Sequence, residues 1–281
     1  MHVGRRAAVD LDADADGLNN VCHPGRPLWL NQYYARFQDI VFRKLLAGVK
    51  PRGTGPSRPR ALDVGCGAGR WCRLLASSGY EVTGVDLQED LLARNRERMP
   101  ELRFVTGSMQ DFSSDSPFDL VSTVTVLQHN PPADQDSMIG NMRRLLRPRG
   151  HAIVLENVSD QDVHVFANSI DGWIERFGRA GFRCVEIRRY DFSPLLRVDR
   201  FLALRARSLA RMGGLVRDAA APRDPGAPVR PAPRGLRRVF GAAHDSILHV
   251  CVAADALVEN ALVEANAPLP TVHCGFLFAA V

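Results

Sequence analysis

Six short apolar runs, at 61–64, 81–85, 102–105, 118–124, 151–155 and 183–189, alternate with helix-length stretches near 68–79, 88–98, 133–147 and 168–181. Nothing else in the chain constrains the fold as much. A strand, a helix and a second strand close as a right-handed crossover, and repeated crossovers give a parallel sheet with helices on both faces. "TVHCGFLFAAV" (271–281) reads as a seventh strand that closes the sheet. The expected class is therefore α/β, with a doubly wound, mostly parallel, seven-stranded sheet. Ahead of it, 1–26 are polar and Gly/Asp/Asn-rich. "LWLNQYYARFQDIVFRKLLAGV" (28–49) has helical apolar spacing, and "KPRGTGPSRPR" (50–60) must end that helix. The organisation expected is 1–58 for an arm and helix, 59–192 for the main sheet, 193–270 for an inserted helical segment and 271–281 for the last strand.

Composition narrows the class of protein. A length of 281 residues, 46% hydrophobic and 24% charged, suits one or two globular domains. No run approaches the roughly 18 uncharged apolar residues of a membrane span, and no apolar stretch follows the first arginines, so a cytoplasmic protein is expected. The cysteines at 22, 66, 72, 184, 251 and 274 are scattered without a C-x-x-C pair, which fits reduced thiols. The net charge is +5, carried almost wholly by arginine, since Lys44 and Lys50 are the only lysines. Much of it lies in 197–238, where eleven arginines face Asp199, Asp218 and Asp224. Prolines 222, 225, 228, 231 and 233 make the middle of that segment a non-helical loop.

The turn in "ALDVGCGAGRW" (61–71) decides which ligand the sheet takes. Dinucleotide folds use G-x-G-x-x-G to cradle a pyrophosphate. Here Gly65, Gly67 and Gly69 give G-x-G-x-G, with Arg70 where the last glycine belongs. Asp63 just before the turn would repel a pyrophosphate but suit an ammonium group. S-adenosylmethionine carries an ammonium and a sulfonium and no phosphate. Asp86, 19 residues after Gly67 at the end of "VTGVDL", stands where a carboxylate accepts from ribose hydroxyls. Asp111 in "GSMQDF" follows the third strand, within reach of an adenine amino group.

With these blocks the chain resembles the class I S-adenosylmethionine-dependent methyltransferases. The resemblance covers about 59–192 and rests on "LDVGCGAGRW", "VTGVDL", "FDLVSTVTVLQH" and "LLRPRGHAIVLEN" in the family's order and spacing. It implies that Asp63, Gly65 and Gly67 line the methionine end of the cofactor. Asp86 and Leu87 would then hold ribose and adenine, Met109, Gln110 and Asp111 flank the adenine, and Thr123 and Val124 lie near the sulfonium. It also implies that the N-terminal helix, with Tyr33 and Tyr34, forms a lid, and that the 193–270 insertion borders a small-molecule acceptor.

Ligands of a doubly wound sheet bind beyond the carboxyl ends of its parallel strands. That edge should carry His129 after the fourth strand, Glu156 and His164 after the fifth, and Tyr190 with Asp191 after the sixth. His273 at the start of the antiparallel last strand should join them. Methyl transfer needs an in-line nucleophile about 3–3.5 Å from the methyl carbon, and a hydroxyl nucleophile needs a base. His129 is the first candidate base and His164 the second; Tyr33, Tyr34, Glu156, Tyr190 and His273 are candidates for the acceptor wall.

The function expected is methyl transfer to a small molecule, oxygen acceptors being favoured over nitrogen or carbon. Two other readings stay open: nucleic-acid modification, with the arginine-rich insertion against phosphates, and a cyclase or other non-methylating user of the fold. Against the first, "HNPPAD" lacks the aromatic residue that would stack a target base. No metal is expected. "DADADG" (12–17) starts like an EF-hand loop, but its twelfth position is His23 rather than a glutamate. No membrane partner is expected, and a homo-oligomer is compatible with the reading.

Overall fold

The computed structural model describes residues 28–49, 58–159, 165–192 and 256–281. "DADADG", His164 and the arginine-rich stretch 197–238 lie outside them. The whole sheet belongs to one compact unit, formed by the chain up to Phe192 together with Leu262–Val281. Of a second unit, Ser193–Ala261, only 256–261 are described, and they are helical.

Seven strands form one sheet: β1 (Arg60–Val64), β2 (Glu81–Asp86), β3 (Arg103–Thr106), β4 (Phe118–Val124), β5 (Leu146–Asn157), β6 (Phe182–Tyr190) and β7 (His273–Ala280). Their order is β3-β2-β1-β4-β5-β7-β6. The pairs from β3 to β5 are parallel, and β7 runs antiparallel between β5 and β6. The helices are α1 (Leu28–Gly48), α2 (Arg70–Ser77), α3 (Glu89–Arg98), α4 (Pro132–Leu145) and α5 (Ile170–Arg179). The alternation read from the sequence is thus realised as a doubly wound sheet. β5 starts earlier than the expected 151, at Leu146 opposite Phe118, and the register jumps before Leu120 meets His151. Pro148 and Gly150 make that stretch look like a loop, but its neighbour β4 pairs it on both sides of the irregularity.

Both faces of the sheet are covered. β7 shows the period-two logic of a strand buried on two sides. Cys274, Phe276, Phe278 and Ala280 join the core on the side of α4 and α5, where the Phe278 ring stacks on Phe177 at 4.2 Å. On the opposite side a Cβ at Gly275 would lie 2.5 Å from Val41 and 2.9 Å from Leu45. Only glycine therefore lets α1 lie on β7 at that point. Val41, Phe42 and Leu45 are fully buried, and the Phe42 ring stacks on Trp71 of α2 at 4.4 Å. This half of α1 is a layer of the core. Among the described residues no helix is long and apolar enough to cross a membrane.

Candidate active site

The carboxyl edge of β1 is shaped by backbone that only glycine adopts readily. Gly65, Gly67 and Gly69 have φ of +67°, +50° and +77°. The amides of Gly65 and Cys66 both donate to the Val85 carbonyl at 2.8 and 3.1 Å, which folds the turn back over β2. Asp86 fixes its far side: Oδ2 accepts from the Gly67 amide at 2.8 Å and Oδ1 from the Gln88 amide at 2.9 Å. A carboxylate offers about four acceptor sites, so two remain for a ligand. Asn95 of α3 donates to the Gly67 carbonyl at 2.7 Å. Beside Asp86, Leu87 is 72% exposed, an apolar side chain left in water at the edge of the turn.

Other expected cofactor residues take different environments. Gln110 donates to Asp134 at 2.9 Å, Asp111 is exposed, and Met109 is buried in the core with its carbonyl bonded by Asn141. Thr123 is buried at the end of β4, and its hydroxyl has no hydrogen-bond partner among the described residues. Val124 beside it is 8% exposed.

Asp63 lies inside the fold. It was expected to face an ammonium group, but it lies buried under the turn, accepting from Ser122 Oγ at 2.7 Å and from the Cys72 thiol at 3.4 Å. Burial pushes its carboxyl up to about 7, against the two hydrogen bonds that lower it. The folded state therefore keeps a proton that the unfolded chain has lost above about pH 4. This contribution to stability is complete below that pH and lost as pH rises through about 7. The loss amounts to roughly 1 kcal/mol per pH unit across the window. Asp63→Asn keeps the shape without the titration. Its melting temperature relative to the parent should climb from pH 5 to pH 8 in matched thermal scans. A constant difference would show that Asp63 is charged in the fold at every pH tested.

Glu156 lies inside the fold as well. Expected on an acceptor wall, it is fully buried at the end of β5. Its Oε1 accepts from the amides of Val126 and Leu127 at 3.1 and 2.9 Å, and Oε2 from that of Gln128 at 3.1 Å. Burial raises this carboxyl to about 8 against the pull of the three amides. The side chain thus holds the loop that follows β4. Gln135 of α4 grips the same loop from the other side, its amide nitrogen donating to the carbonyls of Leu127, Asn130 and Phe166. Just before these anchors Thr125 has φ +54°, an outlier for a β-branched residue, and Val126 meets the glycine turn: a Cβ on Gly65 would lie 2.4 Å from Val126 Cγ2. His129, the expected base, ends the short turn Leu127–His129 and is exposed.

The aromatic candidates are mostly internal. Tyr33 is buried, with its ring edge-on to Tyr34 and Phe37 at 5.4 and 5.1 Å. Tyr190 is buried at the end of β6 and stacks on His273 at 5.5 Å. His273 Nδ1 lies 2.9 Å from Asp191 Oδ2. Sequence reading put His273 and Asp191 on the same edge but gave no sign that they pair. Gln135 carried no signal at all. Among the described residues no cluster of three or more metal-ligating side chains occurs. A cavity of about 780 Å³ lined by Arg73, Tyr80, Glu81 and Arg103 opens where β2 and β3 begin. That is the edge away from the strand ends where ligands of this architecture bind.

Residues 61–150 match a family model described as a methyltransferase domain. The chain is 35% identical over 92 residues to an uncharacterized methyltransferase of Synechocystis sp., covering 32% of this chain and 43% of that one. It is 32% identical over 143 residues to a ubiquinone biosynthesis O-methyltransferase of Methylococcus capsulatus, covering 49% and 52%. It is 30% identical over 162 residues to a trans-aconitate 2-methyltransferase of Variovorax paradoxus, covering 54% and 60%. The chain thus spans about half the length of these curated relatives.

Proposed function

Since the chain carries a class I S-adenosylmethionine-dependent methyltransferase domain, we propose that it methylates a small-molecule acceptor, at oxygen before nitrogen or carbon. The observation that carries this reading is the tie from the Asp86 carboxylate to the Gly67 amide. It fixes the glycine turn and leaves two acceptor sites at the edge of the sheet. The site fits the cofactor in three further respects. The positive-φ glycines leave the turn without side chains, so a ligand can approach its backbone. Leu87 is an exposed apolar surface beside Asp86, suited to an adenine face. The buried Thr123 hydroxyl has no hydrogen-bond partner among the described residues, which suits a site that takes a polar ligand group. When bound, S-adenosylmethionine supplies an electrophilic methyl group on a sulfonium. Asp86 accepts from its ribose hydroxyls, Gly65 and Gly67 line its amino-acid end, and Gln110 and Asp111 border the adenine. Thr123 and Val124 stand at the end of β4 beside the reacting centre. The relatives support oxygen as the acceptor atom, one of them being named as an O-methyltransferase.

Asp86→Ala tests the assignment. Charge-assisted hydrogen bonds contribute about 1.5–3 kcal/mol each, so losing two should weaken S-adenosylmethionine by roughly 10²-fold or more in calorimetry. The parent protein should show no heat with NAD. Unchanged affinity in Asp86→Ala would remove the ribose role, and a micromolar NAD complex would remove the cofactor assignment.

A further inference from the structure

Resting on the methyltransferase reading above, we infer that His273, oriented by Asp191, is the general base that takes the proton from a hydroxyl acceptor. The role read from the sequence for His129 thus moves to a histidine 144 positions along the chain. His273 starts β7 at the carboxyl edge of the sheet, paired with Asn157 of β5 and with Tyr190 of β6. β5 in turn borders β4, where Val124 pairs with Leu155. With strands about 4.8 Å apart, the histidine stands two strand spacings, about 10 Å, across the sheet from β4, and two residues further along it than Val124. For His273 to act, the attacking oxygen must lie within hydrogen-bond reach of Nε2 and about 3–3.5 Å from the methyl carbon, which places the acceptor hydroxyl over the strand between them.

The local geometry prepares the ring for this task. Asp191 Oδ2 at 2.9 Å from Nδ1 requires hydrogen on Nδ1 when the carboxylate is ionised, which leaves the lone pair on Nε2. A carboxylate in that position also stabilises the imidazolium formed when Nε2 gains a proton. Asp191 reaches the ring only because its backbone turns to φ +62°, unusual for a residue other than glycine. Such strain persists where the surroundings over-determine it, and it concentrates at functional sites. The surroundings do so here. The Thr271 hydroxyl bonds the Tyr190 carbonyl, the Val272 amide donates to the Asp191 carbonyl at 3.3 Å, and the Val158 amide to the Val272 carbonyl at 2.8 Å. Tyr190 stacks on one face of the imidazole. His273 is held among these neighbours with 9% of its surface exposed.

The step balances simply. The acceptor oxygen forms a bond to the methyl carbon as the carbon–sulfur bond breaks with both electrons on sulfur. The acceptor proton passes to Nε2, and water later removes it from the imidazolium.

The test has two arms on the full chain. In ¹⁵N-histidine-labelled protein without cofactor, at a pH where the ring is neutral, long-range nitrogen–proton spectra should show His273 with hydrogen on Nδ1. His273→Gln assigns the signal by removing it, and Asp191→Asn should shift that ring alone. An Nε2–H tautomer in the parent would overturn the inference. In the second arm, a small-molecule extract of the source organism is incubated with S-adenosylmethionine and searched for hydroxyl compounds 14 Da heavier. Turnover of any such acceptor should fall roughly 10²–10⁴-fold in His273→Gln, with cofactor affinity by calorimetry unchanged. Asp191→Asn should also lower turnover, which covers the case where His273→Gln fails to fold. Turnover within a few-fold of the parent in both variants would overturn the base and leave the function standing. A parent protein that binds the cofactor yet methylates nothing in the extract would overturn the small-molecule reading, and the base with it.

Discussion

Glu156→Ala should cost the domain a large part of its stability. The alanine leaves three amides, those of Val126, Leu127 and Gln128, without their acceptor. An orphaned buried amide costs about 1–3 kcal/mol. The two buried bonds among the three thus imply a loss of roughly 2–6 kcal/mol, against a total stability of about 5–15 kcal/mol for typical proteins. The melting temperature should drop by roughly 5–20 °C. Glu156→Gln should fall between, because one oxygen still accepts while its amide group faces an N–H it cannot satisfy. The check is urea unfolding of parent and variants at one pH. A midpoint for Glu156→Ala equal to that of the parent would mean that water replaces the carboxylate on the loop, and that Gln135 alone fixes it.

Gly65→Ala should abolish cofactor binding and lower stability together. Its φ of +67° costs a side chain about 1–2 kcal/mol. The added methyl would also lie 2.4 Å from Val126 Cγ2, closer than atoms tolerate. Either the turn or the loop after β4 must shift, and both border the proposed cofactor site. Gly79 provides the control. It has φ of +93°, but a Cβ there meets nothing within 4 Å. Gly79→Ala should therefore lose stability through its backbone alone and keep cofactor affinity. Calorimetry and thermal scans on the pair separate the two effects. Full affinity in Gly65→Ala would show that the turn does not touch the ligand.

Those glycines were legible in the sequence, and so was Asp86, because the turn is local. A strand, a turn and a helix start lie within a dozen residues, and the second strand follows at short range. The strand alternation was equally local, and it led to the doubly wound sheet. What escaped was set by the topology. Glu156 bonds amides about 30 positions earlier, and His273 meets Asp191 across 82. No spacing rule encodes such meetings; they arise because β5 borders β4 and β7 borders β6. Burial was the other blind spot. Asp63 and Glu156 both read as acids free to face a ligand. Their side chains instead satisfy neighbours inside the fold, and apolar surroundings shift both titrations upward. The start of β5 was misread because Pro148 and Gly150 look like loop residues, although the strand passes through them by breaking register.

The position of β7 has a consequence for how this protein is made. Among the described residues β6 pairs only with β7, and every residue of β7 follows β6 on the chain after a separation of more than eighty residues. During synthesis, therefore, β1 to β5 can pair in order as they emerge, while β6 waits with an open edge. α1, made first, also waits, since Gly275 of β7 is part of the surface on which it packs. Such long-range closure is slow, and unpaired strand edges invite association with other chains. A ribosome stalled before residue 273 would hold a nascent chain in which α1 lacks part of its packing surface and β6 lacks its pairing strand. Chaperone demand should therefore peak in the interval between the completion of β6 and the emergence of β7.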